Sequence, residues 1–375
     1  MAKVKQGDRD YLEEHSKEKV AFYGEYLDLY LTVLLNTTYI KSINIYDLFC
    51  GVGIYAEDGS KGSPIIAMES IKKQLSIQQN SNNKQMKLII NDGKKESVER
   101  AKQYLVEQNI NFDFEAYNLQ AEDIFSLTIN NIKSSKDDEF NLIFIDPHGY
   151  KDIYKKDIIN IMNAGKSEIL IFLPIHMMYR FLKPSEEDKE NPSYEHLIRF
   201  MKEFKLHNIV ESTDEYIANI KESFSFDNQY FTTSYKLRAT NSHNDYALFF
   251  ITKNIYGLEK AVETKWKLDK LCGSGFEKKK PSLFDVEFED SKKEDCLNNF
   301  KNKLIIYLKE ERTNNEIYKF TLTSGFQIKQ TNEILKALCS ENRCTFDREV
   351  RKNSYYLNYA HHKDNEIKYR IKINE

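Results

Sequence analysis

The chain has 375 residues, which is enough for one large domain or two to three smaller ones. Apolar residues make up 41% of it and charged residues 30%, a globular composition that excludes an intrinsically disordered chain. Residues 301–375 hold 15 Lys and Arg against 10 Asp and Glu, a balance of +5, so the net charge of −3 leaves −8 for residues 1–300. The C-terminal part is therefore the better electrostatic candidate for binding nucleic acid.

The sequence predicts neither a membrane segment nor a cysteine framework. No run approaches the roughly 18 apolar residues of a transmembrane helix, and the polar start MAKVKQGDRD lacks the apolar stretch of a signal peptide. We therefore expect a cytoplasmic protein without a membrane partner. The cysteines are too scattered for a disulfide framework or a zinc site, and we expect free thiols at Cys50, Cys272, Cys296, Cys339 and Cys344.

The first half of the chain alternates between helical and strand patterns. Residues 11–35 carry apolar side chains at helical spacing and predict one long amphipathic helix. A buried strand follows over Ile43–Phe49, and Ser63-Pro64 is typical of the start of a helix that continues to about Gln79. Further strands are predicted over Met86–Ile90, Phe112–Tyr117, Asn141–Ile145 and Glu168–Leu173, with helices over Lys94–Gln108, Glu122–Ile132 and Lys155–Ala164. This alternation indicates a doubly wound α/β fold with a parallel sheet covered on both faces.

The second half predicts an insertion, an edge pair of strands and a small further domain. Met177–Glu222 is mostly helical and charged, and Tyr230–Lys236 and Asp245–Thr252 are predicted as an antiparallel pair at one edge of the sheet. Residues 273–295 mix glycine, proline and charge blocks, as a linker or surface arm does. Helices over Leu297–Leu308 and Gln330–Glu341 and a hairpin over Tyr355–Tyr359 and Ile367–Ile373 favour a winged helix-turn-helix. The predicted domains are therefore 1–272 and 296–375, joined by 273–295.

The segment YDLFCGVG, Tyr46–Gly53, ends the first predicted strand with a glycine loop. Gly51 to Ala56 fits G-x-G-x-x-G/A, in which glycine lets a ligand touch the main chain. A plain strand-to-helix turn is the alternative. A dinucleotide site fits poorly, because the helix start is delayed and Asp92 lies 39 residues after Gly53 rather than about 20.

A class I methyltransferase site fits the loop better, with S-adenosylmethionine as the cofactor. In such a site an acidic residue ends the first strand and another, at the end of the second, takes the ribose hydroxyls. Asp47 and Asp92 occupy those two places, and Asp123 would lie near the adenine. The predicted cofactor-binding set is Asp47, Phe49, Cys50, Gly51, Gly53, Tyr55, Asp92 and Asp123.

Asp146-Pro147-His148-Gly149-Tyr150 follows the fourth predicted strand, whose exit lies beside that of the first in a doubly wound sheet. The segment resembles the D-P-P-Y element of amine-methylating enzymes, in which the carboxylate and a proline carbonyl accept hydrogens from the target amine and an aromatic ring stacks on the base. Tyr150 or His148 would have to supply that ring, and a helix-capping role of Asp146 is the alternative. A cytosine C5 methyltransferase would need a Pro-Cys nucleophile, and no proline precedes a cysteine.

Four further side chains are candidates for the same crevice. His15 and Lys19 lie on the first predicted helix, and His176 and Met178 follow the fifth strand. A helix-surface role for the first two and packing at the core or rim for His176 and Met178 are the alternatives.

Taken in order, several segments resemble the three-Cys-motif partner proteins, a bacterial family with a methyltransferase-like Rossmann domain. They are His15–Lys19 with Tyr26 and Leu27, Tyr46–Gly53, Gly62–Pro64, Phe144–Tyr150, Phe249–Asn254, Gly257–Trp266 with Asp269, and Ser282–Phe284. Cys50, Val52 and His148 depart from that family's pattern. The resemblance implies a protein partner that carries the three-Cys motif, and similar proteins often end in a winged-helix domain.

Two functions remain open at this point. The first is an S-adenosylmethionine-dependent methyltransferase acting on an exocyclic amine of nucleic acid, with Asp146, Pro147, His148 and Tyr150 orienting the acceptor. The second is a non-catalytic module that binds S-adenosylmethionine or another nucleotide and recruits a protein partner. A role in anti-phage defence would suit either. The candidate nucleic-acid contacts within residues 296–375 are Lys329, Lys336, Arg343, Arg348, Arg351 and Lys352.

Overall fold

The computed structural model describes residues 11–77, 84–207, 209–238, 244–277, 285–350 and 355–374. The chain divides into two compact units. The first comprises residues up to 253 together with 276–278, and the second comprises 254–275 and the chain from 279 onward. This division differs from the predicted boundary at 272, because the segment from 254 to 272 belongs to the second unit.

The first unit is built around one mostly parallel sheet. Its strands are β1 (Ser42–Asp47), β2 (Gln85–Asn91), β3 (Asp113–Tyr117), β4 (Glu139–Ile145), β5 (Ser167–Leu173), β6 (Phe231–Arg238), β7 (Asp245–Thr252) and β8 (Gly275–Glu277). They lie in the order β3-β2-β1-β4-β5-β7-β6-β8. The helices are α1 (Glu14–Leu35), α2 (Ser63–Ile77), α3 (Lys95–Glu107), α4 (Ala121–Lys133), α5 (Lys155–Ala164), α6 (Ile175–Glu187), α7 (Glu195–Glu203) and α8 (Thr213–Ser223), with a short 3₁₀ turn over Pro192–Tyr194.

The central strands are buried along nearly their whole length because helices cover both faces. On one face α1 packs against α2 and the sheet, with the Tyr23 and Phe144 rings 4.4 Å apart. On the other face α4, α5 and the helices α6–α8 form one apolar core with Ile143 and Ile171. The predicted α/β fold with a mostly parallel sheet is therefore confirmed.

The strand registers bring the functional loops to one edge of the sheet. Asp47, the last residue of β1, lies opposite Ile90 on one side and Phe144 on the other. All three strands are parallel, so Asp92 after β2 and Asp146 after β4 leave the sheet at the same edge as the loop after β1.

The predicted antiparallel pair of strands is confirmed, because β6 and β7 pair with each other in antiparallel register, and β7 is also antiparallel to β5. Its predicted position at the edge is corrected: the short strand β8 lies beyond β6 and forms that edge of the sheet. The predicted helical insertion before β6 is confirmed as α6–α8.

The second unit combines helices with a small antiparallel sheet. Its elements are α9 (Ile255–Leu268), α10 (Asp285–Tyr307), β9 (Arg312–Thr313), α11 (Asn314–Thr323), α12 (Ile328–Ser340), β10 (Cys344–Phe346), α13 (Tyr359–Lys363) and β11 (Arg370–Ile373). The three strands lie in the order β10-β11-β9. A capping box, in which Thr313 and Glu316 satisfy each other's backbone amides, begins α11. The Trp266 indole donates to the Gly325 carbonyl at 2.9 Å and anchors α9 to this unit.

Two predictions for this part of the chain are wrong. Residues 273–295 are not only a linker or surface arm, because they contain β8 and the beginning of α10. Tyr355–Tyr359 is not a strand, because Tyr356 has a left-handed φ of 50° and Asn358 caps α13. The partner of β11 is instead β10, through the pair Phe346 and Ile371. The Ser282–Phe284 segment lies outside the described residues.

The expectation of free thiols fails for one pair of cysteines. A disulfide joins Cys272 to Cys296 within the second unit. The turn that carries Cys272 is shaped by the Asp269 carboxylate, which accepts the backbone amides of Leu271 and Ser274 at 3.0 and 2.9 Å. In the described parts of the chain, no helix is both long enough and apolar enough to cross a membrane.

Candidate functional site

A cavity of about 530 Å³ opens at the edge of the sheet where β1, β4 and β5 end. Gly51 from the loop after β1 and Asp146 from the end of β4 both line it, as the sequence predicts for two neighbouring strand exits. The wall is completed by α1, by the start of α6 and by the beginning of β7. The side chains that these elements contribute to the wall include His15, Lys19, Phe172, His176, Arg180 and Tyr246.

The loop after β1 turns back on itself at its two glycines. Gly51 and Gly53 have φ values of 61° and 77°, a region in which side chains are strained. A Cβ on Gly53 would lie 3.2 Å from the backbone of Ala101 on α3, so the loop packs tightly against that helix. The Gly53 carbonyl accepts the amide of Gly62 at 2.6 Å, and the chain then enters α2 at Ser63. The glycines therefore serve the turn and the close approach of α3.

Asp92 supports the same loop from the end of β2. Its two carboxylate oxygens accept the backbone amides of Gly51 at 3.0 Å and Lys94 at 2.8 Å. The preceding residue, Asn91, is also buried and donates to the Leu48 carbonyl at 3.0 Å. Carboxylate and amide side chains at the end of β2 thus hold the glycine loop in place.

Asp47 is a fully buried carboxyl group just behind the cavity wall. Neither of its oxygens has a hydrogen-bond partner among the described residues. Burial raises its pKa to about 7, and the negative charges of Asp146 and Asp92 act in the same direction. The Ser63 hydroxyl and the Lys19 ammonium lower it, although Ser63 does not reach hydrogen-bond geometry. Such an orphaned acceptor favours a cationic group of a bound ligand.

The carboxylate of Asp146 is held by Lys19, which reaches across from α1 and forms an ion pair and hydrogen bond with it. Only 9% of the Lys19 side chain is exposed. Its ammonium also lies 4.3 Å from the centre of the Phe172 ring, within the range of a cation–π contact. An amine therefore already occupies the position between this carboxylate and an aromatic face.

Three rings stack beside this ion pair. The His15 and Tyr246 rings are nearly parallel with centroids 4.0 Å apart, and the Phe172 ring lies 5.3 Å from that of Tyr246. Burial lowers the pKa of His15 to about 4, and the Lys19 charge acts in the same direction while Asp146 opposes it. His15 is therefore neutral at pH 7, and the part of the cavity beside Asp146 has an aromatic wall.

The segment after Asp146 is fixed by α7 of the helical insertion. The Arg199 guanidinium donates to the carbonyls of Lys151 and Ile153 at 2.7 and 3.0 Å and lies 3.7 Å from the Tyr154 ring centre. The Glu203 carboxylate accepts the Lys155 amide at 3.0 Å and so supports the start of α5. The insertion thereby sets the path of the chain that leaves the site.

The structure gathers seven of the predicted site residues at the cavity: Phe49, Cys50, Gly51, Tyr55, Asp146, Pro147 and His148. Asp47, Gly53 and Asp92 are buried close behind the loop that forms the wall. Two residues lie elsewhere. Asp123 is exposed in the first turn of α4, and the Tyr150 ring packs edge-on against Phe200 at 6.1 Å. Neither is among the cavity-lining residues that the structure describes.

His15, Lys19 and His176 line the cavity, in agreement with the first of their two interpretations. Met178 is fully buried in the apolar core, in agreement with the second. Sequence reasoning missed Phe172, Tyr246 and Arg180. Phe172 lies within β5, whose apolar sequence is typical of a strand in the hydrophobic core, and Tyr246 is the second residue of β7. The available signal was the position of Phe172 next to the end of β5, the strand beside β4.

The predicted nucleic-acid contacts fall in the second unit. Lys329 and Lys336 are exposed on α12, one at its start and one seven residues later. Arg343 and Arg348 form ion pairs with Glu341 and Asp347 at 3.3 and 3.0 Å. Arg351 and Lys352 lie outside the described residues.

Comparison with known proteins finds similarity in structure only. No protein-family model matches the chain, and no curated protein matches it. Among solved structures, an O-methyltransferase from Bacillus cereus in complex with SAH is 13% identical, with a TM-score of 0.35 over 61% of this chain and 80% of that one. Loganic acid methyltransferase with SAH is 10% identical, with a TM-score of 0.33 over 78% and 89%. A methyltransferase from Pyrococcus furiosus is 13% identical, with a TM-score of 0.26 over 60% and 83%. At such TM-scores nothing about the chemistry of this chain follows from the likeness.

Proposed function

We propose that the protein is an S-adenosylmethionine-dependent methyltransferase that binds the cofactor in the cavity at the end of β1 and acts on an amine. One observation carries the proposal: the glycine turn at Gly51 and the carboxylate of Asp146 border the same cavity. Its volume of about 530 Å³ falls in the range of about 300–1,000 Å³ typical of small-molecule and cofactor sites.

The residues at the loop end suit the cofactor. The orphaned carboxylate of Asp47 would be compensated by the positive charge of the ligand, which carries a sulfonium and an ammonium group. Gly51 and Cys50 would bring main chain to it, with Phe49 and Tyr55 beside it. Each oxygen of the Asp92 carboxylate accepts one hydrogen bond from a loop amide. A carboxylate can accept about four hydrogen bonds, so Asp92 could still accept hydrogen bonds from the ribose hydroxyls of the cofactor. The proposal omits Asp123, which is exposed on α4.

The residues at the other end suit an amine acceptor. The Asp146 carboxylate would accept a hydrogen from the target nitrogen and keep its lone pair directed at the donor methyl group, with the Pro147 carbonyl as a second acceptor. Phe172 and Tyr246 would supply the aromatic wall that we first expected from Tyr150 or His148. The aromatic wall and the carboxylate together favour a nitrogen acceptor over an alcohol.

We further propose nucleic acid as the acceptor, bound through a winged-helix domain formed by the second unit. Its order α10-β9-α11-α12-β10-α13-β11 places two consecutive helices before two paired strands, with the short helix α13 between those strands, which supports a winged helix-turn-helix. In that arrangement α12 would be the helix that enters the groove, with Lys329 and Lys336 exposed on it. The positive balance of residues 301–375 is consistent with this role.

A second function is favoured by a specific contact. Lys19 engages the carboxylate that a substrate amine would need. The alternative is therefore a module that holds S-adenosylmethionine without transferring its methyl group and recruits a protein partner, of the three-Cys-motif type if the family resemblance holds.

Isothermal calorimetry with S-adenosylmethionine tests the cofactor part. We expect Asp92→Ala to weaken binding about 10- to 150-fold, since losing hydrogen bonds to a charged group costs about 1.5–3 kcal/mol. Asp138→Ala is the matched control, because Asp138 precedes β4 at the opposite edge of the sheet. No binding to the wild-type protein would disprove the cofactor assignment.

Transfer of a radiolabelled methyl group to total DNA and RNA tests the enzyme against the module. The enzyme predicts labelling that Asp146→Ala abolishes while the cofactor affinity is retained. The module predicts binding of the cofactor without labelling of any nucleic acid. Thermal unfolding of each variant shows whether a lost signal reflects lost folding.

A further inference from the structure

We propose that Lys19 is itself a methylation site, modified by the same chain that carries it. This inference rests on the proposed cofactor site but names an acceptor that the proposed function does not include. It starts from the position of the Lys19 ammonium, which lies in the cavity on the carboxylate assigned to the acceptor.

The surroundings of Lys19 reproduce the features expected around an acceptor amine. Its nitrogen forms a hydrogen bond and an ion pair with Asp146, and the Phe172 ring centre is 4.3 Å away. The side chain is 9% exposed, so it faces the cavity and not the outer surface. A carboxylate together with an aromatic face holds an ammonium group by charge and by cation–π attraction.

The surroundings of Lys19 differ from those of an exposed lysine such as Lys41. Burial and the Lys19 charge lower the pKa of His15 to about 4, so this neighbour adds no second positive charge at pH 7. Asp47 is close enough for the Lys19 charge to affect its pKa, which links the amine to the loop end of the cavity. Lys41, by contrast, pairs with Asp138 at 3.2 Å with 79% of its side chain exposed.

The chemical step balances without any further reagent. The ammonium first passes one proton to the Asp146 carboxylate, which frees the lone pair on Nζ. A bond then forms between Nζ and the methyl carbon as the carbon–sulfur bond of S-adenosylmethionine breaks. The electron pair of that bond stays on sulfur, so the sulfonium becomes the neutral thioether of S-adenosylhomocysteine, and the methylated amine keeps one positive charge.

The first test is mass spectrometry of the full chain after incubation with methyl-labelled S-adenosylmethionine and no other acceptor. We expect label on the peptide that contains Lys19, complete loss of that label in Lys19→Arg, and unchanged label in the matched control Lys41→Arg. Arginine keeps the positive charge beside Asp146, so Lys19→Arg is expected to fold. Label that persists in Lys19→Arg, or an unlabelled wild-type chain that binds the cofactor, would overturn the inference and leave the cofactor site standing.

The second test measures binding and needs no turnover. The Lys19 ammonium repels a sulfonium but not a thioether, so Lys19→Met should tighten S-adenosylmethionine relative to S-adenosylhomocysteine in calorimetry. Lys41→Met should leave the ratio of the two affinities unchanged. An unchanged ratio in Lys19→Met means that the ammonium is not near the methyl group, and the inference fails. If neither compound binds the wild-type chain, the proposed function fails as well.

Discussion

Replacing Asp47 by asparagine removes a carboxylate whose ionised form lowers the stability of the folded protein. Asp47 is fully buried, and neither oxygen has a hydrogen-bond partner among the described residues. Burial raises its pKa from 3.8 to about 7. The folded chain therefore keeps a proton on Asp47 over a pH range in which the unfolded chain has lost it.

The sign and size of the effect follow from this difference. Stability from Asp47 is highest below pH 3.8, falls as the pH rises to about 7 and is then constant. At about 1.4 kcal/mol per pKa unit, the loss is about 4 kcal/mol at most. Asp47→Asn lacks the titrating group, so its advantage over the wild type should grow between pH 4 and pH 7.

Urea unfolding followed by far-UV circular dichroism at several pH values measures the effect. Two other buried groups titrate in the same pH range: burial raises the pKa of Glu168 to about 7 and lowers that of His15 to about 4. Both are present in the wild type and the variant, so their contributions cancel in the difference. Asp113→Asn, at an exposed residue of β3, is the control and should give a flat difference. A flat difference for Asp47→Asn, or lower stability above pH 7, would refute the reasoning.

Three further predictions concern stability and covalent state. Lys84→Met should lower the free energy of unfolding by about 1–2 kcal/mol. The reason is that the Lys84 ammonium donates to three carbonyls at the end of α1 at 2.6–2.8 Å. An unchanged midpoint of urea unfolding would contradict this. Gly53→Ala should destabilise more than Gly59→Ala in thermal unfolding, because both have positive φ but only Gly53 is crowded by α3; equal losses would show that the packing does not matter. Thiol titration of the denatured, unreduced chain should find three thiols, at Cys50, Cys339 and Cys344, and five after reduction; five before reduction would exclude the disulfide.

The sheet and the loop end of the site could be predicted because their signals are local. A buried run, an acidic residue and two glycines mark the end of β1, and the alternation of strands and helices then fixes which strand ends are neighbours. Gly51 and Asp146 meet for this reason although 95 residues separate them. Ser63-Pro64 likewise begins α2 as predicted.

The aromatic wall could not be predicted, because long-range packing produces it. Lys19 reaches Asp146 over 127 residues of sequence, and Tyr246 stacks on His15 only because β7 inserts between β5 and β6. The placement of β7 inside the sheet cannot be read from its apolar pattern. The prediction of a C-terminal strand over Tyr355–Tyr359 was wrong for a different reason. The segment alternates like a strand, but Tyr356 has a left-handed φ and Asn358 caps α13, so the chain cannot continue as a strand.

One end of the cavity is formed by local structure at the strand ends and the other by long-range packing, and the two ends should therefore respond differently to mutation. The loop end is held from the neighbouring strand β2: the Cys50 amide donates to the Asn91 carbonyl at 2.8 Å, and the Gly51 amide donates to the Asp92 carboxylate. The end that contains Asp146 is held by side chains that α1 brings to β4 and β5, above all by Lys19, which contacts Asp146 and Phe172. A change that shifts α1 would therefore alter the proposed amine subsite while leaving the loop after β1 in place. Chemistry that depends on Asp146 is coupled to the packing of α1, whereas binding at the glycine loop is coupled to the sheet itself.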